Sequence, residues 1–198
     1  MVAVFTAATA EFRLNNLMNL KHNFLLAMPD LASDYFAQSL TYICEHNEDG
    51  AIGIMINRPT DMSLIELFAQ LGMPGNRAYT STLLYEGGPV GPERGFVLHS
   101  ADVELEAATK VAADVCLSTD LEALAAIAED RGPGKFLVAM GYAGWGAGQL
   151  ESEIANNAWL TAPASAEILF DTEPEQRLDA AAGSIGVDLR LIARPGHA

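Results

Sequence analysis

Two pairs of side chains in this chain have the types and the spacing for chemistry. Cys44 and His46 stand two apart in "SLTYICEH", which alternates as a strand: Leu40, Tyr42 and Cys44 share one face, and Thr41, Ile43 and Glu45 the other. That spacing sets both groups on one face with β-carbons roughly 7 Å apart. An imidazole there can lower a thiol's pKa if the strand end is open to water, which makes Cys44 a candidate reactive thiol. The alternative is a buried cysteine acting as a small hydrophobe.

The second constellation is "GYAGWGAGQLESEI", Gly141 to Ile154. It reads as a strand end, a loop of four glycines around Trp145, and a helix beginning near Gln149. Free N–H groups at such a helix start can face an anion; equally, the glycines let Trp145 fold back onto the sheet without backbone clash. Gln149, Glu153 and Asn156 fall at i, i+4 and i+7 and form one polar stripe, either a contact surface or the wet side of a helix.

Other chemistries lack their parts. No Gly-Lys-Ser/Thr follows the glycines, and the spacing is not that of a dinucleotide fingerprint. No G-x-S-x-G occurs, and Ser184 falls late in a helix. His22, His46, His99 and His197 are scattered, with no H-x-x-x-H or C-x-x-C, so no metal site is expected. His99, ending "GFVLH", reads as a packed or strand-terminal histidine.

These residues must be placed by the elements around them. Phe24 to Met28 predicts a strand; "SLTYICEH" and the apolar "AIGIMIN" predict a hairpin turning at Asp49-Gly50 and lying at the centre of a sheet. Ser63 and Glu66 mark a capping box for a helix ending at Gly72, Thr119 and Glu122 mark a second carrying Leu121 and Leu124 inward, and Thr172 and Glu175 a third. "LLYEGGPV", "RGFVLHS" and "TKVAADVCLS" are expected as three strands, "KFLVAMGYAGW" as a strand running into the glycine loop, and "AWLTAPA" and "EILF" as short extended pieces. Strands come in runs rather than alternating with helices, which favours α+β with a mainly antiparallel or mixed sheet.

Length and composition bound the rest. A chain of 198 residues, half hydrophobic and without a long linker, can bury one sizeable core. The expected organisation is an N-terminal extension over 1–17 and a single domain over 18–198. The longest run free of charge, Phe136 to Leu150, is too short and too glycine-rich to span a membrane. The N-terminus has no basic segment before its apolar run, and Cys44 and Cys116 are expected as free thiols, so the expected compartment is the cytoplasm.

The formal net charge is −15, and no two of the eleven Lys and Arg residues stand closer than four positions apart. That field opposes direct binding of nucleic acid and suits a soluble surface or a basic partner.

Taken together and in order, "FLLAMPDL", "GAIGIMINRP", "EGGPVGPERGFVLH" and "GYAGWGAGQLESEIANNAWL" resemble the AlgH/YqgE family of bacterial proteins, from about Met18 to the C-terminus. The resemblance implies an α+β domain whose bifurcated, largely antiparallel β-sheet folds into a pseudo-barrel with flanking helices, with no cofactor and no established enzyme activity. The family is named for a role in alginate production phrased as transcriptional regulation. Its motifs fall on Asn57, Arg58 and Pro59, on Gly87, Gly88, Pro89 and His99, and on Gly141, Tyr142, Gly144, Trp145, Gln149, Leu150, Glu151 and Trp159, with Asn57, Arg58, His99, Tyr142, Gly144, Trp145, Gln149 and Glu151 expected to converge on one shallow binding site. The function expected is a non-enzymatic regulatory or protein-interaction role. The alternative is a small-molecule or anion binder, or a weak hydrolase, using the Gly141–Gly148 loop.

Overall fold

The structure is a computed structural model that describes residues 19–28 and 34–192; the expected extension over 1–17 lies outside them. Ten strands form one curled, largely antiparallel sheet with helices packed against it, as the α+β expectation required. The main order is β10-β1-β2-β3-β9-β6-β8-β7, with β4 and β5 branching off.

The hairpin forms between the two expected strands, but its turn is Glu48-Asp49 rather than Asp49-Gly50, and Gly50 opens the returning strand opposite Asn47. β2 (Leu40–Asn47) and β3 (Gly50–Met55) pair antiparallel and sit inside the sheet between β1 (Asn23–Ala27) and β9 (Phe136–Gly146). β10 (Trp159–Pro163) closes the far side of β1. On the other flank, β6 (Val90–Ser100) pairs with β9 and with β8 (Val115–Ser118), which carries the two-residue β7 (Thr109–Lys110). "TKVAADVCLS" is therefore a small hairpin rather than one strand.

The sheet divides along one edge of β9. β5 (Leu83–Glu86), itself paired with β4 (Pro59–Ser63), lies parallel to β9 at Tyr85↔Ala139 and Glu86↔Met140. β3 takes over the same edge at Gly53↔Ala143 and runs to Gly50↔Gly146. Gly87 joins the branches: its N–H donates to the Met140 carbonyl and its carbonyl accepts from Met55 N–H, both at 2.8 Å. At this crossing backbone rests on backbone. A Cβ on Gly141, whose φ is +72°, would stand 2.4 Å from the Gly88 carbonyl oxygen, and one on Gly87 would stand 2.2 Å from that of Gly141.

Gly141 also exchanges the faces of β9. Leu137 and Ala139 enter the core between the sheet and its C-terminal helices, while Val138 enters the cluster under the first two helices. Beyond Gly141 the parity shifts, so that Tyr142 packs on the first core and Ala143 and Trp145 enter a third cluster with Leu25, Ile43 and Trp159. A positive-φ residue inside a strand has this effect because it interrupts the two-residue side-chain period.

Five helices are described. α1 (Leu64–Leu71) starts at Ser63, whose N–H and hydroxyl both donate to the Glu66 carboxylate at 2.7 Å, and stops at left-handed Gly72. α2 (Leu121–Ala128) is capped by Asp120, one residue past the expected Thr119, and Leu121 therefore turns to solvent. α3 is Gln149–Ala155, α4 is Pro174–Ser184 with proline in its first turn, and α5 is Leu189–Ile192.

The "EILF" piece is not extended. Glu167–Asp171 makes a single wide helical turn, with the Ser165 hydroxyl accepting from Ile168 N–H and the Glu167 carbonyl from Thr172 N–H. Three apolar residues carry no period of their own, so the serine cap decides the conformation. Among the described residues no helix is long and apolar enough to cross a membrane.

Candidate functional site

The expected glycine loop is mostly strand: β9 runs through Gly146, with Trp145 paired to Ala51 of β3, and only Ala147 and Gly148 turn before α3, whose carboxylates are engaged at once. Trp145 is buried, and its indole N–H donates to Glu153 Oε2 at 2.9 Å. Trp159, arriving on β10, donates to the same oxygen at 2.8 Å. Gln149 supplies the third donor, Nε2 to Glu153 Oε1 at 2.9 Å, while its own Oε1 accepts Gly146 N–H at 3.0 Å. Phe36 completes an aromatic cage, stacked on Trp145 at 6.4 Å and edge-on to Trp159 at 5.4 Å.

One turn away, His46 joins three elements. Its Nδ1 accepts Leu20 N–H at 3.0 Å, which leaves the proton on Nε2 and makes that nitrogen the donor to Glu151 Oε1 at 2.9 Å. The imidazole is nearly enclosed while the Glu151 side chain remains 40% exposed. Helix start and glycine loop thus hold a glutamine and two carboxylates, with Gly146 N–H already bonded, and α3 spans only seven residues.

Cys44 does not share a face with His46. The β2–β3 register shifts between Ile43 and Glu45, so Cys44 is the extra residue of a bulge and points into the main core. His46 emerges on the opposite side. Cys44 is 3% exposed, with Sγ 3.7 Å from the Tyr42 carbonyl oxygen, and burial pushes its thiol well above the usual range. The expectation of a reactive thiol there is overturned: desolvation disfavours the thiolate, and no imidazole faces it.

The remaining candidates lie apart. Asn57 acts as a backbone staple, accepting Leu40 N–H at 2.8 Å and donating to the Gln38 carbonyl at 2.9 Å. Arg58 donates to the Ala37 carbonyl, lies 5.5 Å from the Tyr35 ring centre and faces Glu86 at 3.8 Å. Tyr35 donates to the same carboxylate at 2.8 Å, and burial, with that bond second, pushes its phenol up. Tyr142 is half-buried beneath Arg94, at 5.8 Å, and beside Phe96.

His99 is fully buried between Ser118 Oγ at 3.0 Å and the Ser100 carbonyl at 2.9 Å. It pairs with Phe136 across β6 and β9, nine residues along β9 from Trp145. At strand rise that is roughly 30 Å. Among the described residues no group of three or more His, Cys, Asp or Glu could hold a metal ion.

A sequence profile described as AlgH-like matches residues 24–190. The chain belongs to the AlgH-like family. It is 49% identical over 183 residues to the AlgH protein of Pseudomonas aeruginosa strain PAO1, covering 90% of this chain and 96% of that one. A relative from Chromobacterium violaceum is 45% identical over 183 residues, covering 91% and 98%. The solution structure of Pseudomonas aeruginosa AlgH matches this fold with a TM-score of 0.76 at 48% identity, over 90% of this chain and 96% of that chain. A crystal structure of a Corynebacterium diphtheriae protein shares the fold with a TM-score of 0.69 at 22% identity, over 92% and 98%.

In this AlgH-like chain the motif residues do not meet at one shallow site. Trp145, Gln149 and Glu151 gather at one end of β9, Gly144 lies open beside Tyr142, Asn57 and Arg58 sit at the start of β4, and His99 is at the other end of β9. Three roles escaped the sequence argument, although the residues themselves were named there: Glu153 as the shared acceptor, Trp159 as its second donor, and His46 as the partner of Glu151. The i, i+4 spacing of Gln149 and Glu153 signals their bond, whereas the other two contacts cross from different strands.

Proposed function

We propose that this AlgH-like protein is non-enzymatic and acts by binding another protein through the acidic tip where the β2–β3 turn meets the glycine loop. One observation carries the reading: the candidate histidines, glutamine and thiol are bonded to the protein's own groups or enclosed by them. His46, His99 and Gln149 each use both of their polar atoms, Glu153 takes three donors and Cys44 is enclosed. General acid–base or nucleophilic catalysis needs at least one such group free to reach a substrate.

The tip itself favours a basic partner. Glu45, Glu48 and Asp49 are exposed on the turn, Gly50 pairs with Gly146, and Glu151 stands beside them on α3. With a net charge of −15, the surrounding field steers a cationic protein face toward this end and opposes the phosphates of nucleic acid. Any effect on transcription is then indirect.

Affinity capture from a native bacterial lysate, with the wild type beside a Glu45→Lys, Glu48→Lys, Asp49→Lys variant, tests this. The wild type should retain a specific protein in low salt and release it as salt rises, and the variant should retain none. Equal retention by both would sink the assignment of the tip. Tight binding of duplex DNA, below the roughly micromolar range of non-specific contact, would sink the indirect reading.

A further inference from the structure

At the opposite end of β9 the two branches of the sheet part. β5 and β9 pair only at Tyr85↔Ala139 and Glu86↔Met140; upstream, Leu83 and Phe136 line the two sides of a groove of about 350 Å³. The helical turn over Glu167–Asp171 and the start of α4 cover it, contributing Phe170 and, from beneath, Arg177.

Arg177 is 5% exposed. Its Nε donates to the Thr172 carbonyl at 2.9 Å, its Nη1 donates to the Ile56 carbonyl, and the guanidinium lies 5.1 Å from the Tyr85 ring centre. Among the described residues Nη2 has no hydrogen-bond partner, and none of the ion pairs there includes Arg177. Among those residues the fully enclosed side-chain atoms without a partner are Ser39 Oγ and Thr41 Oγ1, so Nη2 keeps some exposure, and Arg177 is one of the residues that line the groove. A guanidinium largely removed from water and in no ion pair gains from an anion close enough to bond it.

We propose that this groove is a binding site for an apolar monocarboxylate, its carboxylate received by Arg177 Nη2 and its apolar body lying against Leu83, Phe136 and Phe170. The rim sets the charge class. Asp171, held by Lys135 at 2.6 Å, and Glu173 and Glu175 line the same opening, and these carboxylates repel a dianion such as phosphate more strongly than a monoanion. The volume lies at the small end of ligand pockets, which suits one ring or a short aliphatic chain. A free organic acid and the C-terminus of an apolar peptide present the same group. The site lies roughly 30 Å along β9 from the acidic tip and stands independently of the partner proposed there.

The full ¹⁵N-labelled chain is titrated separately with 4-phenylbutyrate, with 4-phenylbutyramide, with inorganic phosphate, and with an acetylated tetrapeptide of apolar residues ending in a free carboxylate. Saturable shifts of the Tyr85 and Val138 amides with either carboxylate, absent with the amide and phosphate, are expected. Saturation by the acid alone assigns a free organic acid, and saturation by the peptide alone assigns a chain terminus. Arg177→Gln should weaken binding about tenfold or more, as loss of a charge-assisted hydrogen bond does. Leu83→Glu, on the exposed wall, should weaken it comparably while leaving the fold intact, and decides the matter if Arg177→Gln does not fold. Absence of binding by both carboxylates, equal binding of the neutral amide or of phosphate, or wild-type affinity in Leu83→Glu would overturn the proposal.

Discussion

Trp145 and Trp159, fourteen residues apart and on different strands, donate their indole N–H groups to one oxygen of Glu153, at 2.9 and 2.8 Å, with their rings edge to face at 5.9 Å. Both tryptophans are buried, and a single half-buried carboxylate on α3 satisfies both of their N–H groups. The helix, β9 and β10 are locked together by that oxygen.

Removing it should be costly. Glu153→Ala leaves both N–H groups without an acceptor and should destabilise the protein by about 2–4 kcal/mol in urea unfolding, with a change in tryptophan emission. Glu153→Gln keeps one oxygen for the indoles but turns an amide toward Gln149 Nε2, and should cost about 1 kcal/mol. A Glu153→Ala midpoint shifted by less than about 0.5 kcal/mol would mean that the shared bond contributes little.

The glycines of the loop and of the crossing should separate sharply. Gly141→Ala places a Cβ 2.4 Å from the Gly88 carbonyl at a φ of +72° and should cost about 3 kcal/mol or more. Gly146 has an ordinary φ and nothing nearer its Cβ position than Gln149 Oε1 at 3.9 Å, so Gly146→Ala should stay within about 0.5 kcal/mol of the wild type. Thermal melts of the two variants side by side check this; equal losses would contradict the backbone crossing.

Native-state alkylation should modify Cys116 before Cys44. Burial raises both thiols, but Cys44 is the more enclosed, at 3% against 9% exposure, and its side chain faces the main core. The folded protein is treated with iodoacetamide at mildly alkaline pH and the two peptides are followed by mass spectrometry over time. Faster labelling of Cys44 would show that the bulge opens to solvent.

Glu66 should titrate below the usual glutamate range, because the Ser63 hydroxyl, and after it the Ser63 backbone N–H, bond the charged form. A lowered folded-state pKa stabilises above the unfolded value, and that contribution is lost as pH falls through the lowered value. Ser63→Ala removes the larger cause and should move the Glu66 titration up toward the ordinary range without reaching it. Carboxyl ¹³C shifts read over an acid titration give the answer, and an unchanged midpoint would deny the hydroxyl its role.

The sequence by itself determined the local elements and the class of fold. The strand character of "SLTYICEH" and "AIGIMIN" with a tight turn between them, the Ser63/Glu66 cap and Gly72 act over a few residues, so their outcome needs no distant partner. The ordered motifs added the family. Tertiary structure decided everything that depends on one added residue or on a crossing. The bulge at Cys44 sends His46 to the opposite face, where Glu151 meets it, and Gly141 exchanges the faces of β9 so that Trp145 can reach Glu153. A one-residue change of parity moves every later side chain to the other side of a sheet, and nothing in the local pattern marks where it occurs. The sheet's division leaves the same kind of gap in what the sequence can say: Arg177 reads as one cation on a helix until the parting of β5 and β9 sets it under a groove.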